Sequence, residues 1–358
     1  MSNKHLAKDA ENEILKNAQK LEQKNIILTI SLLILIITAV IYSLLAGSTK
    51  INMTDLMAII NGRRGMVYNI IWNIRLPAVL TALVAGVGLA LAGAVMQTIL
   101  KNPLASPFTL GISHAAAFGA AFAIVVLDSR QFLKTVPLFS NLSLPALTAF
   151  FFAQLAVAFI LIISLHKEQG TETIVLAGIA ISSLFTAGTT ILQFLADDLE
   201  LASVVYWTFG DPGRTNWTQF FCLAVVVLIV VIYFIIQSWN YSLLNAGDEV
   251  AVSLGLNPVR MRLIALTIVS LLTSIIISLV GIIGFIGLVT PHIIRKISPG
   301  SQRQLFLNTS LAGALLLIIA NNLARTLLNP VVLPVGVLTS FLGAPLFIYL
   351  IIKGRRYW

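Results

Sequence analysis

Residues 282–294 read IIGFIGLVTPHII, an apolar run bounded by Gly281 before it and Arg295 and Lys296 after it. A bilayer core needs about 20 apolar residues of helix, so this piece is too brief for a perpendicular span and crosses only if packed inside a bundle. Whether it counts decides the topology. Nine longer runs surround it, at 26–46, 76–99, 108–127, 145–165, 174–196, 217–237, 262–280, 307–328 and 333–352. With the short piece the chain has ten spans and both termini on one side; without it, the carboxyl-terminal Lys353, Arg355 and Arg356 change sides. With ten spans and the amino terminus inside, fifteen Lys and Arg fall in inner segments and seven in outer ones, Arg325 being left out at a span end. Excess Lys and Arg marks the cytoplasmic side. The count therefore supports ten spans and that orientation.

The composition agrees. Of 358 residues, 58% are hydrophobic and 10% charged, against about 25% charged in soluble domains. The expected fold is an all-α integral membrane protein of about ten transmembrane helices. It divides into a polar cytoplasmic segment 1–25, a transmembrane domain 26–353 and a cytoplasmic tail 354–358. The run 26–46 exceeds the roughly 7–15 residues of a signal-peptide core, so it reads as a first span. The head before it suits a short surface helix or a disordered stretch. The net charge of +9 is scattered through short loops, which argues against nucleic acid as a partner. The single cysteine, Cys222, makes neither an intramolecular disulfide nor a zinc site and reads as inert packing. LVAGVGLALAGAVMQ (83–97) and SHAAAFGAAFA (113–123) carry the small residues that let membrane helices approach closely.

Several chemistries are missing. The fourteen acidic residues all lie in the head, in loops or at span ends, whereas a cation-coupled carrier keeps one at membrane depth to hold its ion. GISH (111–114) resembles the serine motif of rhomboid-type proteases, but His114 stands where that motif has glycine. Neither HExxH nor GxxxxGK[ST] occurs, so a zinc protease and a P-loop nucleotide site are unsupported. No metal site, cofactor or enzymatic activity is expected, and ATP-driven work needs a partner that supplies the nucleotide site.

The longest inner connection, QSWNYSLLNAGDEVAVSLGLNPVRMR (237–262), reads as two short helices with a kink. Asp248 and Glu249 suit a helix amino end, Ala251, Val252 and Leu254 form an apolar face, Gly255 suits a carboxyl-terminal stop and Pro258 opens the next piece. From physics alone it is either an interfacial connector or a knob for a soluble partner's cleft.

Here the residues become recognisable. The loop resembles the coupling loop of FecCD-type permeases, the bacterial ABC importers for iron–siderophore complexes, haem and cobalamin. Further stretches are similar to that family in order along the chain: Arg75-Leu76-Pro77, GAVMQ (93–97), NPLASP (102–107), YWTFG (206–210), GFIGLVTPH (284–292) with Arg295, LPVG (333–336) and GAP (343–345). The resemblance covers about 70–353 and implies a type II ABC importer bundle. Two permeases pair as a homo- or heterodimer around the path, two ATPase subunits dock inside, and an extracytoplasmic substrate-binding protein docks outside. It places the ATPase-coupling loop at about 239–260, with Asp248, Glu249, Ala251, Leu254 and Gly255 as contacts. It assigns binding-protein docking to Arg75 and Arg325; a helix-end arginine that merely snorkels is the alternative for Arg75. Gln97, His114 and Asn321 are polar at membrane depth and either line the path or bond helix to helix. Ala78, Val332 and Asn321 depart from the family's basic and acidic positions, pointing to weaker docking or to unequal sharing with a different permease. The family's usual cargo makes a ferric siderophore the expected substrate across the bacterial cytoplasmic membrane, with cobalamin or haem as alternatives and an ion-coupled secondary transporter as the rival class.

Overall fold

The computed structural model describes residues 2–47, 51, 52, 54, 57, 59, 61, 62, 64–127, 143–164, 171–329 and 331–353. Lys50, Asp55, Arg63, Asp128, Arg130, Lys134, Lys167, Glu168, Arg355 and Arg356, used in the charge pattern, and the tail 354–358 lie outside these residues.

The helices are α1 Ser2–Leu45, α2 Met66–Ile99, α3 Ile112–Val125, α4 Leu144–Ser164, α5 Thr171–Leu195, α6 Asp198–Thr208 and α7 Trp217–Ile236. They continue as α8 Ser238–Ala246, α9 Asp248–Ser253, α10 Pro258–Val280, α11 Ile286–Ile297, α12 Gln302–Thr326 and α13 Val335–Lys353. Seven of them, α1, α2, α4, α5, α7, α10 and α12, are long and apolar enough to cross a membrane. The shorter apolar α3 and α13 add two candidates, and α11 falls on the tenth expected run. The polar head differs from both expectations, because α1 runs through it as one helix.

Helix α11 has 12 residues, a rise of about 18 Å, too short by itself for a bilayer core. It is preceded by the non-helical stretch 281–285, in which Gly281 at φ +79° and Phe285 at φ +65° turn the backbone and the Ile286 amide donates to the Gly284 carbonyl at 2.8 Å. Such irregular backbone is tolerated at depth only when protein buries it. Here Ile282 bridges Phe209, and the carbonyl of Val280 just before it accepts from the Asp211 amide at 2.7 Å.

Helix α2 is the axis, buried over most of its length, whereas α1 shows most of its surface to the surroundings. The small residues explain why. A Cβ on Gly93 would lie 1.7 Å from the Gly287 carbonyl oxygen, and one on Gly86 2.5 Å from that of Gly313. At both crossings backbone meets backbone, of α11 and α12 respectively. Pro291 has no N–H for the Gly287 carbonyl four residues back, which leaves that oxygen facing Gly93 rather than closing a helical bond. Cys222 is exposed on α7, so it packs on the outside of the bundle and not within it.

Candidate functional site: the coupling end and the cleft

At one end of the bundle α8 and α9 form the two short helices read from the sequence. Fully buried Tyr241 packs its ring 5.5 Å from Phe234 of α7 and 6.1 Å from Phe306 of α12, fixing α8 to the core. The carboxyl end of α9 closes as a Schellman turn. The Gly255 amide donates to Val252 at 3.0 Å and the Leu256 amide to Ala251 at 2.9 Å, with Gly255 at φ +83°. That is the left-handed conformation glycine adopts at no steric cost. Asn257 then caps α10 by accepting from the Arg260 amide at 3.0 Å.

The five expected coupling residues divide. Glu249 and Gly255 are exposed, and Leu254 and Val252 each show 59% of their surface. Ala251 is fully buried; it anchors α9 to the bundle and cannot touch a docked partner, which corrects its assignment to the contact face. Asp248 keeps 43% of its side chain exposed and is held by two cations. Its Oδ1 accepts from Arg262 Nη2 at 2.8 Å and from Lys101 Nζ at 2.9 Å. These bonds, Arg262's first, hold its carboxyl below the usual range against the opposing effect of burial. A depressed carboxylate stabilises the fold above its unfolded pKa, and this contribution is lost as pH falls through the folded value.

Lys101 and Arg262 were not singled out from the sequence, because their partners are distant along the chain. Lys101 sits at φ +46°, the position after a helix where glycine is usual, and a side chain there costs about 1–2 kcal/mol. Arg262 also donates from Nε to the Ile99 carbonyl at 2.9 Å, satisfying one of the carbonyls a helix end leaves open.

The polar residues at depth are likewise sorted. Gln97 is 3% exposed, donates to the Leu288 carbonyl at 3.2 Å and accepts from Arg295. It makes a helix–helix bond, one of the two roles expected of it. Asn321 is 2% exposed, buried in the bundle, with its amide nitrogen unpartnered among the described residues. His114 alone reaches a cavity, a cleft of about 700 Å³ between α3 and α5. Its other polar lining is Thr109 with Ser182, Ser183, Thr186 and Thr190 of α5. Those α5 hydroxyls bond the carbonyl four residues back at 2.7–3.0 Å, so α5 presents a mildly polar, uncharged face. Sequence reading missed this face, although hydroxyls recurring at helical spacing were its available signal.

Arg75 and Arg325 lie at the opposite end, and both turn to the last turn of α1. Arg75 is 4% exposed and donates to the Leu44 and Leu45 carbonyls at 2.6 and 3.1 Å. Arg325 donates to Ser43 Oγ at 2.6 Å. A helix carboxyl end offers open carbonyls and a negative dipole end, and the two guanidinium groups answer both. In this structure Arg75 thus caps the carboxyl end of α1. Arg75→Met is expected to lower stability by about 1.5–3 kcal/mol. Unfolding of the purified chain without any partner checks this; an unchanged melting point would return Arg75 to the docking surface.

Among the described residues the chain is thus a multi-pass helical membrane bundle with a two-helix knob at one end and an uncharged cleft in its wall. Comparison with known proteins agrees: residues 33–353 match the model of the FecCD transport family. An ABC transporter permease protein of Methanocaldococcus jannaschii is 47% identical, over 92% of this chain and 95% of its own length. The vitamin B12 import system permease of Salmonella arizonae is 34% identical, over 95% and 98%. A solved inward-facing metal-chelate type ABC transporter superposes with TM-score 0.78 at 28% identity, over 91% of this chain and 98% of that one. This chain belongs to the FecCD transport family.

Proposed function

We propose that this chain is the membrane subunit of an ATP-driven importer for a ferric siderophore. It pairs with a second permease, two ATPase subunits and an extracytoplasmic binding protein, and lies in the cytoplasmic membrane with both termini inside. The observation that carries the ATP-driven reading is the α8–α9 knob. Glu249, Val252 and Leu254 stand exposed around Gly255, where an added Cβ meets nothing within 4 Å. A rigid, partly apolar projection on the polar end of a membrane bundle suits a soluble partner's cleft.

The cargo reading rests on the cleft. A chelated ferric ion arrives with its coordination filled, so its path needs bulk and mild polarity rather than ligands. A lining of hydroxyls and one imidazole provides that. Haem or cobalamin is the second reading, supported by the relatives named for vitamin B12 import and for hemin transport in Yersinia pestis.

Uptake by proteoliposomes holding the full complex, offered a ferric hydroxamate, a ferric catecholate, haemin and cobalamin, tests both. ATP-dependent uptake of a ferric chelate alone is the expected result. Uptake that persists without ATP and collapses with an ionophore would replace the reading by a secondary transporter. For the knob, Glu249→Lys and Gly255→Pro are each expected to cut co-purification of the ATPase at least tenfold while membrane insertion is unchanged. Wild-type co-purification of both variants would remove α9 from the contact.

A further inference from the structure

The carboxyl-terminal turn of α2 collects polar ties from four directions. Lys101 meets Asp248 of α9 at 2.9 Å. The Ile99 carbonyl accepts from Arg262 of α10 at 2.9 Å. Thr98 Oγ1 accepts from Gln302 of α12 at 2.7 Å. Gln97 bonds Leu288 and Arg295 of α11. Helix α9 packs directly on α8 and α10, and its polar ties to α2 run through the single Oδ1 of Asp248. Short α9 lies between Gly247 at φ +142° and Gly255 at φ +83°, two conformations that glycine holds without strain. The α2 turn is the opposite case, because its Lys101 holds a left-handed conformation that glycine would hold without strain.

We propose that Lys101 and Arg262, clamped on Asp248, are the positioning residues that carry displacement of α9 into α2 and from there into α11 and α12. The proposal rests on α8–α9 being the ATPase contact. On this view Asp248 touches no partner: it is the inner end of the lever, and Glu249 with Leu254 is the outer end. It also explains why a strained position holds lysine. Glycine would suit the turn better but would sever the link. Two cations on one oxygen further give the carboxylate a fixed direction that one flexible lysine would not.

Hydrogen exchange of the permease–ATPase complex, with and without ATP and vanadate, reads the link without needing the cargo. In the wild type, protection in 97–102 and in α11 is expected to change on nucleotide trapping. In Lys101→Gly and Asp248→Asn that change should fall at least threefold, with ATPase co-purification kept. Lys101→Arg should restore it. Lys101→Gly should melt no lower than wild type, because relief of the strained position offsets the lost exposed salt bridge, so its lost exchange response is not a folding defect. Wild-type exchange changes in both variants, no change at 97–102 in the wild type, or a lowered melting point for Lys101→Gly would each overturn the proposal. Loss of the ATPase from Asp248→Asn would do so too, by making Asp248 a direct contact. If the wild-type chain itself captures no ATPase, the ATP-driven reading is what fails.

Discussion

Gly93→Ala is expected to yield essentially no folded protein. The added Cβ would sit 1.7 Å from the Gly287 carbonyl oxygen and 2.4 Å from its carbon, and neither atom belongs to a side chain that can turn aside. Relief requires α2 and α11 to separate. Helix α2 cannot yield, since its Gly86 meets the Gly313 backbone of α12 in the same way, a Cβ there lying 2.5 Å from that carbonyl oxygen. Helix α11 is held by the stretch 281–285 and by the Gln97 bond to Leu288. Overpacking typically costs about 1–3 kcal/mol where side chains relax, and a backbone clash between two fixed helices exceeds that range. Yield and monodispersity of the detergent-solubilised chain measure the effect. Gly65→Ala is the control: φ there is −177° and nothing lies within 4 Å of the new Cβ, so its effect should stay within about 0.5 kcal/mol. A well-folded Gly93→Ala protein would mean that α2 and α11 do not cross there.

Gln97→Leu should be the next most damaging change, at about 2–4 kcal/mol. Leucine fills a similar volume but leaves the Arg295 guanidinium without this acceptor and the Leu288 carbonyl without its donor. A partner removed from a buried charge costs more than the pair contributes, because desolvation is no longer offset. Arg295→Met in the Gln97→Leu background should therefore recover a large part of the loss. Thermal unfolding of the wild type, both single variants and the double variant closes the cycle. Strict additivity would show that the two side chains do not interact.

How far the sequence reached is clear from particular segments. All ten expected runs fall on helices, most ends within a few residues, since apolar length is a local property that a bilayer enforces. The piece 282–294 was the hard case; its charge context gave its existence, but not the turned, non-helical stretch 281–285 that precedes its twelve helical residues. The caps of the coupling loop were legible as well, because Gly255 and Pro258 act through their own backbone preferences. Side-chain direction was not. Ala251 sits in the loop as expected yet faces inward, and Asp248 is tied to Lys101 and Arg262; nothing in a run of six residues sets either.

Arg75 shows the same limit from the other side. Its place at a helix end was readable, and the fork of a guanidinium does suit a carboxylate. The open carbonyls of α1, some thirty residues earlier, take it instead, at 2.6 and 3.1 Å. Gln97 and His114 looked alike in sequence as polar residues in apolar surroundings. Packing made one a buried bond and the other part of a cleft wall.

By itself the sequence determined the solvent of this protein, the number of its crossings and the positions where the chain must turn, because hydropathy, charge and backbone preference act within one span. Only the tertiary structure decided which polar groups meet. Each of the deciding contacts, Gly93 on Gly287, Lys101 and Arg262 on Asp248, Arg75 on α1, joins residues that the chain order separates and that helix packing alone brings together.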